Sequence, residues 1–531
     1  MNTAPSTGHP RRWVILGVLV VSLLVVILDT TVLNVALRVI ADPQRGLGAT
    51  QSDLEWATNS YTLVFAGLLF TWGVLGDRLG RKKVLLLGLL LFGIASVASA
   101  YAQTPGQLIA ARALMGIGGA AVLPATLAII SNVFDPRERA RAIGTWAGAV
   151  GLGVAVGPVV GGLLLEHFWW GSVFLINVPV VAAGLVAVLA VVPDSRDPRP
   201  GRVDVAGVLL SIAGLGLLVY GIIDGGEHGF GRPRSWGTLA AGLALLVAFV
   251  LVERRVRYPS LDVTLFRNPR FSAAVGSIGL VFFAAMGTFF FMAFYLQLVR
   301  GYSPLAAGLL TTPFAVAQLI FAPRSAAMVR RYGPKAVCAV GLGLVTLGLG
   351  GFFLVDATSP VWLLGVLFFL QGAGMANVMP PATESIMSSL PREKAGVGSA
   401  VGNTIRQVGG ALGIAVLGSV LAAVYRARIH DQASALPAAG RHAASESISG
   451  AYATAQHLGG AGSRLIDTAN SAFVDAMHAA ALGSVLVALT GVIVVLAWLP
   501  RRSAVLPVPE APAATREDQA TREDQLELAE A

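Results

Sequence analysis

Charge is scarce in this chain: 13% of its 531 residues are Asp, Glu, Lys or Arg, against roughly a quarter in a soluble domain. With 55% hydrophobic residues, a water-soluble globule could not hide so much apolar surface. Cysteine is nearly absent. The single Cys338 sits inside an apolar run, which excludes a disulfide framework and argues against a metal site. There is no Gly-x-x-x-x-Gly-Lys-Ser/Thr loop to cradle a nucleotide, no zinc-ligand spacing and no nucleophile elbow. These absences argue against an enzyme, against a bound cofactor and against ATP-driven pumping by this chain alone. No small-residue cleavage site interrupts the run from Trp13 to Leu37, which is also too long for a signal peptide. The net charge of +9 does not point to nucleic acid, because the basic residues lie in short clusters between apolar stretches.

Apolar length is what the chain has in abundance. Runs of about 20 apolar residues mark membrane spans, at about 13–37, 54–76, 84–102, 107–132, 142–165, 173–193, 205–225, 237–253, 271–298, 304–328, 337–355, 361–386, 397–425 and 471–499. The fold expected is an all-α membrane protein of fourteen transmembrane helices. Threading both termini into the cytoplasm places 26 of the 38 Lys and Arg in cytoplasmic loops, nine outside and three within spans. That asymmetry has the sign of the positive-inside rule.

The sequence also repeats. Gly116-x-Gly118 followed by Pro124 recurs as Gly372-x-Gly374 followed by Pro380, and Gly153-x-x-x-Gly157 recurs as Gly409-x-x-x-Gly413, all displaced by 256 residues. Two related halves in parallel fit this offset, with two extra helices between them. The expected organisation is a cytoplasmic N-terminus (1–12), a first six-helix bundle (13–193), two linker helices with their loops (194–270), and a second bundle (271–499) carrying an external loop at 426–470. That loop reads as amphipathic in part and mobile, and 500–531 reads as a disordered cytoplasmic tail.

Several positions carry chemistry. Asp29, sixteen residues after Trp13, falls roughly 24 Å along a helix at 1.5 Å per residue, well inside hydrocarbon. A carboxylate there faces a cavity, pairs, caps within the bundle or carries a proton, so that a proton and a cationic substrate can compete for it. Arg112 lies inside the fourth span, and its guanidinium stays charged. After the second span comes Gly73-Val-Leu-Gly-Asp77-Arg78-Leu-Gly80-Arg81-Lys82-Lys83, at the least a basic topology marker. The fifth span is dense in glycine: Gly144, Gly148, Gly151, Gly153, Gly157-Pro158 and Gly161-Gly162. Small residues pack membrane helices closely, while the proline removes a backbone donor and invites a bend.

These motifs resemble signatures of the major facilitator superfamily, and more narrowly of the fourteen-helix drug:proton antiporters of the EmrB/QacA type. The loop from Gly73 to Lys83 matches the superfamily's most specific signature. By that resemblance Gly73, Asp77, Arg78, Gly80, Arg81 and Lys82 form an inner-gate latch, whose second-half counterpart keeps Arg331 and Gly333 but has Arg330 where the acid would stand. Leu28 to Leu37 resembles the helix-one signature, with Asp29 and Asn34 in place and departures at Leu33 and Arg38. The fourth-span pattern keeps Arg112, assigned to proton transfer, but has Met115 for its glutamine; the second half keeps Gln371 and has Phe368 at the arginine position. The glycine spacing from Gly144 through Gly153, Gly157, Pro158, Gly161 and Gly162 resembles the antiporter signature of the fifth helix.

The resemblance implies a proton-coupled efflux transporter in the cell membrane. It would export lipophilic, cationic drugs or toxic compounds by alternating access, powered by the proton gradient without a cofactor. Asp29 and Arg112 would couple protons, and Asn34, Tyr61, Trp146, Gln297, Glu384 and Arg406 are candidates for the substrate cavity. Glu384 reads equally as an acid reaching the interface, Arg406 as a partner for an acid or a lipid headgroup, and Trp56 as an aromatic wall or an interface anchor. The expected partners are a small-molecule substrate, protons and the lipid bilayer, with no nucleic acid and the chain acting as a monomer. Two other readings are an exporter of an endogenous metabolite or self-made antibiotic, and a membrane receptor or scaffold without transport.

Overall fold

In the computed structural model, residues 9–196, 203–256, 259, 261–390, 395–434, 436, 438–458 and 462–499 are described. The tail 500–531 and the loop 391–394 lie outside them. Fourteen helices among these residues are long and apolar enough to cross a membrane.

In the first half they are α1 (Arg12–Ala41), α2 (Gln51–Leu79), α3 (Arg81–Ala100), α4 (Pro105–Val133), α5 (Pro136–His167) and α6 (Ser172–Leu175 continuing as Asn177–Val191). The linker pair is α7 (Val205–His228) and α8 (Pro233–Glu253). The second half holds α9 (Pro269–Phe294, running into a π-turn at Tyr295–Val299), α10 (Pro304–Leu310 continuing as Thr312–Tyr332) and α11 (Pro334–Gly350). It ends with α12 (Val361–Ser388), α13 (Ala395–Ser434) and α14 (Gly462–Trp498).

Local chemistry sets the helix ends. A capping box starts α2: the Thr50 hydroxyl accepts from the Asp53 amide, and the Asp53 carboxylate accepts from the Thr50 amide. Thr104-Pro105, Asn268-Pro269 and Ser303-Pro304 start α4, α9 and α10 with a side-chain cap and a proline in the first turn. Gly80 (φ +109°) and Gly333 (φ +83°) end α2 and α10 in a conformation that glycine alone adopts cheaply.

The sequence repeat is a repeat of packing. Gly116 on α4 seats the carbonyl of Tyr61 on α2, and Gly372 on α12 seats that of Phe314 on α10. Gly118 lies against Gly88 of α3, and Gly374 against Gly341 of α11. Gly153 and Gly157 press on α1, as Gly409 and Gly413 press on α9. An added methyl would collide with a neighbour at each of the eight, so the glycines let equivalent helices approach in both halves.

Between the halves the main contacts are α2 with α13 and α5 with α10. The linker helix α7 packs on both α2 and α13, while α8 packs on α7 and leaves Leu243, Val247 and Leu251 exposed. Helices also fill the segment 426–470, which reads from sequence as a loop. α13 runs on to Ser434, two short helices follow (Ala438–Glu446 and Ile448–Gln456), and α14 starts at Gly462. Its alanine content and the burial of Ile448, Ala451 and Ala455 give these turns a packed face. The Tyr452 hydroxyl donates to the Leu298 carbonyl (2.8 Å) and to Asn470 (3.0 Å), which pins the segment over α9 and α14.

Candidate proton and substrate site

Asp29 and Arg112, placed 83 residues apart in sequence, form an ion pair inside the first bundle. They are 2% and 0% exposed. Arg112 also donates through Nε to the Ala57 carbonyl of α2 (3.1 Å), and its guanidinium lies 4.4 Å from the centre of the Tyr61 ring. Asn177 of α6 donates to Asp29 Oδ1 (3.2 Å) and to the Ser96 hydroxyl of α3 (3.0 Å). One buried polar cluster therefore ties α1, α2, α3, α4 and α6 together.

Sequence reasoning missed Asn177 in this cluster and took Met115 only as a departure from the resembled pattern. Asn177 is the lone polar side chain in an otherwise apolar sixth span from Val173 to Val191, a signal that could have found it. Met115, standing where the resemblance expects glutamine, accepts through sulfur from the Ser99 hydroxyl (3.3 Å) and lies 3.8 Å from an Arg112 nitrogen.

Asp77, Arg78, Gly80, Arg81 and Lys82 stand together at the α2–α3 turn. Arg81 donates to Asp77 through Nη2 (2.9 Å) and Nε (3.1 Å), and through Nη1 to the Ala128 carbonyl of α4 (3.3 Å). Lys82 donates to the Leu189 carbonyl of α6 (2.9 Å), while Arg78 is exposed. Gly73 faces Pro124 of α4. All of these contacts stay within the first half.

The glycine-rich α5 divides into two zones. Gly157 packs on Thr31, Gly161 on Val32, and Gly162 on Pro304 and Leu305 of α10, whose Gly308 in turn meets the Pro158 carbonyl. Gly144, Gly148 and Gly151 have open space where a side chain would stand, so at that end no close approach requires glycine. Three hydrogen bonds join the halves at the end away from these open glycines. Gln44 to Gln456, Gln51 to the Gly418 carbonyl, and Gln297 to the Val35 carbonyl all lie at the end opposite the termini. The halves are thus joined at that end, while toward the other Gly144, Gly148 and Gly151 of α5 meet no neighbour.

The remaining candidates scatter. Trp146 is buried on α5 and donates to the Thr126 hydroxyl of α4 (3.2 Å). Tyr61 is buried beneath Arg112. Asn34 is half-buried on α1. Gln297 spends its amide on Val35 and so ties α9 to α1 at the joined end. Arg406 is half-buried with its guanidinium 5.6 Å from the Phe282 ring centre, and Glu384 is exposed near the end of α12. Trp56 packs on Tyr220 of the linker helix α7 (6.1 Å between ring centres).

Known proteins agree with this architecture. The profile of the Major Facilitator Superfamily matches residues 19–414. The multidrug efflux pump LfrA of Mycolicibacterium smegmatis is 36% identical over 475 residues, covering 89% of this chain and 93% of that one. The tetracenomycin C resistance and export protein of Streptomyces glaucescens is 37% identical over 420 residues, 79% and 78% of the two chains. In fold, the chain is similar to a bacterial homologue of the human lysosomal transporter Spinster in an inward-facing, unoccupied conformation. The TM-score is 0.65 at 18% identity, covering 95% of this chain and 99% of that one.

Proposed function

The chain belongs to the major facilitator superfamily, and on that premise we propose that it is a proton-coupled exporter of lipophilic drugs and toxic compounds. Its relatives named for multidrug efflux and for antibiotic resistance and export support the class of cargo. The observation that carries the coupling is the ion pair between Asp29 and Arg112, two groups that lipid would exclude unless the protein had use for them. As expected from its basic loops, the end holding the termini is cytoplasmic and the joined end is external. The open space beside Gly144, Gly148 and Gly151 supports a passage open to the cytoplasm in this state.

In this state Asp29 pairs with Arg112. A proton arriving from the external face takes over the neutralising role of the guanidinium and loosens the tie between α1 and α4. Release of that proton to the cytoplasm restores the pair. Arg112 tunes the exchange, and Asn177 holds the carboxylate in register. Asp77 with Arg78 and Arg81 serves as the inner latch, and the Gly157-Pro158 region closes the external seam against α10.

A second reading keeps the mechanism and changes the cargo to a self-made antibiotic; the name of the tetracenomycin relative favours it. Uptake of a dye and of antibiotics by everted vesicles, whose outer surface is the cytoplasmic face, with and without an uncoupler, tests both. Uncoupler-sensitive transport of either class supports the proposal, and none of either contradicts it.

A further inference from the structure

A second carboxyl is sealed into the joined end, and nothing in the coupling pair accounts for it. Glu55, on the second turn of α2, is 2% exposed. Its Oε1 accepts from the Gln51 side chain (3.4 Å), which also donates to the Gly418 carbonyl of α13 (3.1 Å). Its Oε2 is buried without a hydrogen-bond partner. Across the seam stands Gly418, where any side chain would strike the Glu55 carboxyl. The linker helix closes the third side: the Ser419 hydroxyl of α13 donates to the Ile222 carbonyl of α7 (3.0 Å), and Arg426 donates to the Gly226 carbonyl (3.2 Å).

The charged groups around this carboxyl do not neutralise it. Glu227 of α7, Arg426 of α13 and Glu446 of the short helix Ala438–Glu446 face the same small crevice. Arg426 is engaged by the Gly226 carbonyl, Glu446 by His442 (2.9 Å), and Asp53 on the preceding turn of α2 by its Thr50 cap. Asp224 of α7 accepts from Ser235 of α8, and His228 of α7 lies 3.3 Å from Asp224 and 3.9 Å from Glu227, so it pairs with those acids and not with Glu55. Two of the facing groups carry the same sign as Glu55. A buried carboxylate with no cation costs far more than the neutral acid, whose surplus lone pairs are weak acceptors.

We propose that Glu55 is a proton-dependent lock on the external seam between α2 and α13. It holds a proton while the seam is closed and releases it to the external solution when the seam opens. Closing takes one proton from the external solution onto the carboxyl, and opening returns it to the same side. Glu55 therefore moves no net charge across the membrane. It makes the return to the cytoplasm-open state favourable when the external side is acidic, the condition under which an inward proton gradient exists. A single linked proton can shift the open-to-closed ratio by up to tenfold per pH unit. The linker helix gains a role, since α7 shields this carboxyl from lipid and water.

The lock rests on the alternating-access reading, and the test separates the two. The full chain, with Cys338→Ala and spin labels at Gln103 and Ala357 on the external ends of the two halves, is reconstituted and its label distances are measured from acid to alkaline pH. In an otherwise unmodified background the long-distance population should grow with pH. In Glu55→Gln it should stay small throughout, because the amide mimics the protonated acid. A Glu55→Gln profile that follows the parent overturns the lock. An infrared pH-difference spectrum gives a readout that does not depend on the gate: a protonated-carboxyl band present in the parent and missing in Glu55→Gln supports the lock, and an unchanged band overturns it. Should the parent transport no substrate, the transport reading fails instead.

Discussion

Arg112→Gln is the perturbation that the structure most sharply constrains. The guanidinium is fully buried, pairs with Asp29, and bonds to the Ala57 carbonyl. Without it, Asp29 keeps only the Asn177 amide at 3.2 Å. Removing one partner of a buried ion pair costs about 3–5 kcal/mol, because the other charge is left without compensation. Asp29→Asn alone should cost a similar amount for the mirror reason, since Arg112 then has a carbonyl and a sulfur but no anion. The double variant Asp29→Asn/Arg112→Gln buries two neutral amides and should lie within about 2 kcal/mol of the parent. The interaction energy between the two sites is therefore several kcal/mol, well beyond the few tenths expected of independent positions. Heating the purified chain in detergent and following the folded fraction measures all four members of the cycle. Acid provides a further check: the Arg112→Gln penalty should shrink as pH falls, because a lone buried carboxylate can be neutralised by a proton, whereas the double variant should not respond. Additive losses, or an Arg112→Gln penalty indifferent to pH, would refute the claim that these groups neutralise each other.

Other substitutions probe the gates and the missed residue. Gly162→Ala should abolish most efflux, because a methyl there meets the backbone of Pro304 and Leu305 in the joined seam, whereas Gly144→Ala, facing open space in this state, should leave thermal stability within about 0.5 kcal/mol of the parent. Asp77→Asn removes a partly exposed pair with Arg81; stability should fall by about 1 kcal/mol or less, while the maximal efflux rate drops, and a large loss of stability with normal transport would count against a latch. Asn177→Leu withdraws a donor from both Asp29 and Ser96, which should cost about 1–3 kcal/mol and lower proton-coupled efflux in vesicles; unchanged coupling would remove Asn177 from the proposal.

Helix number and the two-fold repeat could be read from the chain because bilayer thickness sets the length of an apolar run and close packing demands glycine at fixed places. Gly116 and Gly372 show this: each carries the same pattern and each seats a backbone carbonyl of the preceding even-numbered helix. Asp29 and Arg112 could be singled out as misplaced charges, but that they meet each other depends on how α1 and α4 turn, which an apolar pattern on all sides leaves open. Glu55 was passed over for a related reason. Near the start of a span an acid reads as an interface residue, and the approach of Gly418 from the other half together with the linker helix α7 encloses it. The glycines of α5 read as one motif, yet the open space beside Gly144 and the tight seam at Gly162 reflect which end of the two halves is joined, a property of the conformational state. The segment 426–470 read as a loop because its turns are short and alanine-rich, and its burial comes from α13 and α14.

Proton movement driven by substrate tests the central claim most directly. Proteoliposomes containing the full chain, loaded with a pH-sensitive dye, are given a substrate gradient and no pre-set pH difference. Substrate flux through the parent should drive protons in the opposite direction, and Asp29→Asn, equally well inserted, should show none. Proton movement by Asp29→Asn matching the parent, or substrate flux through the parent without any proton movement, would contradict it.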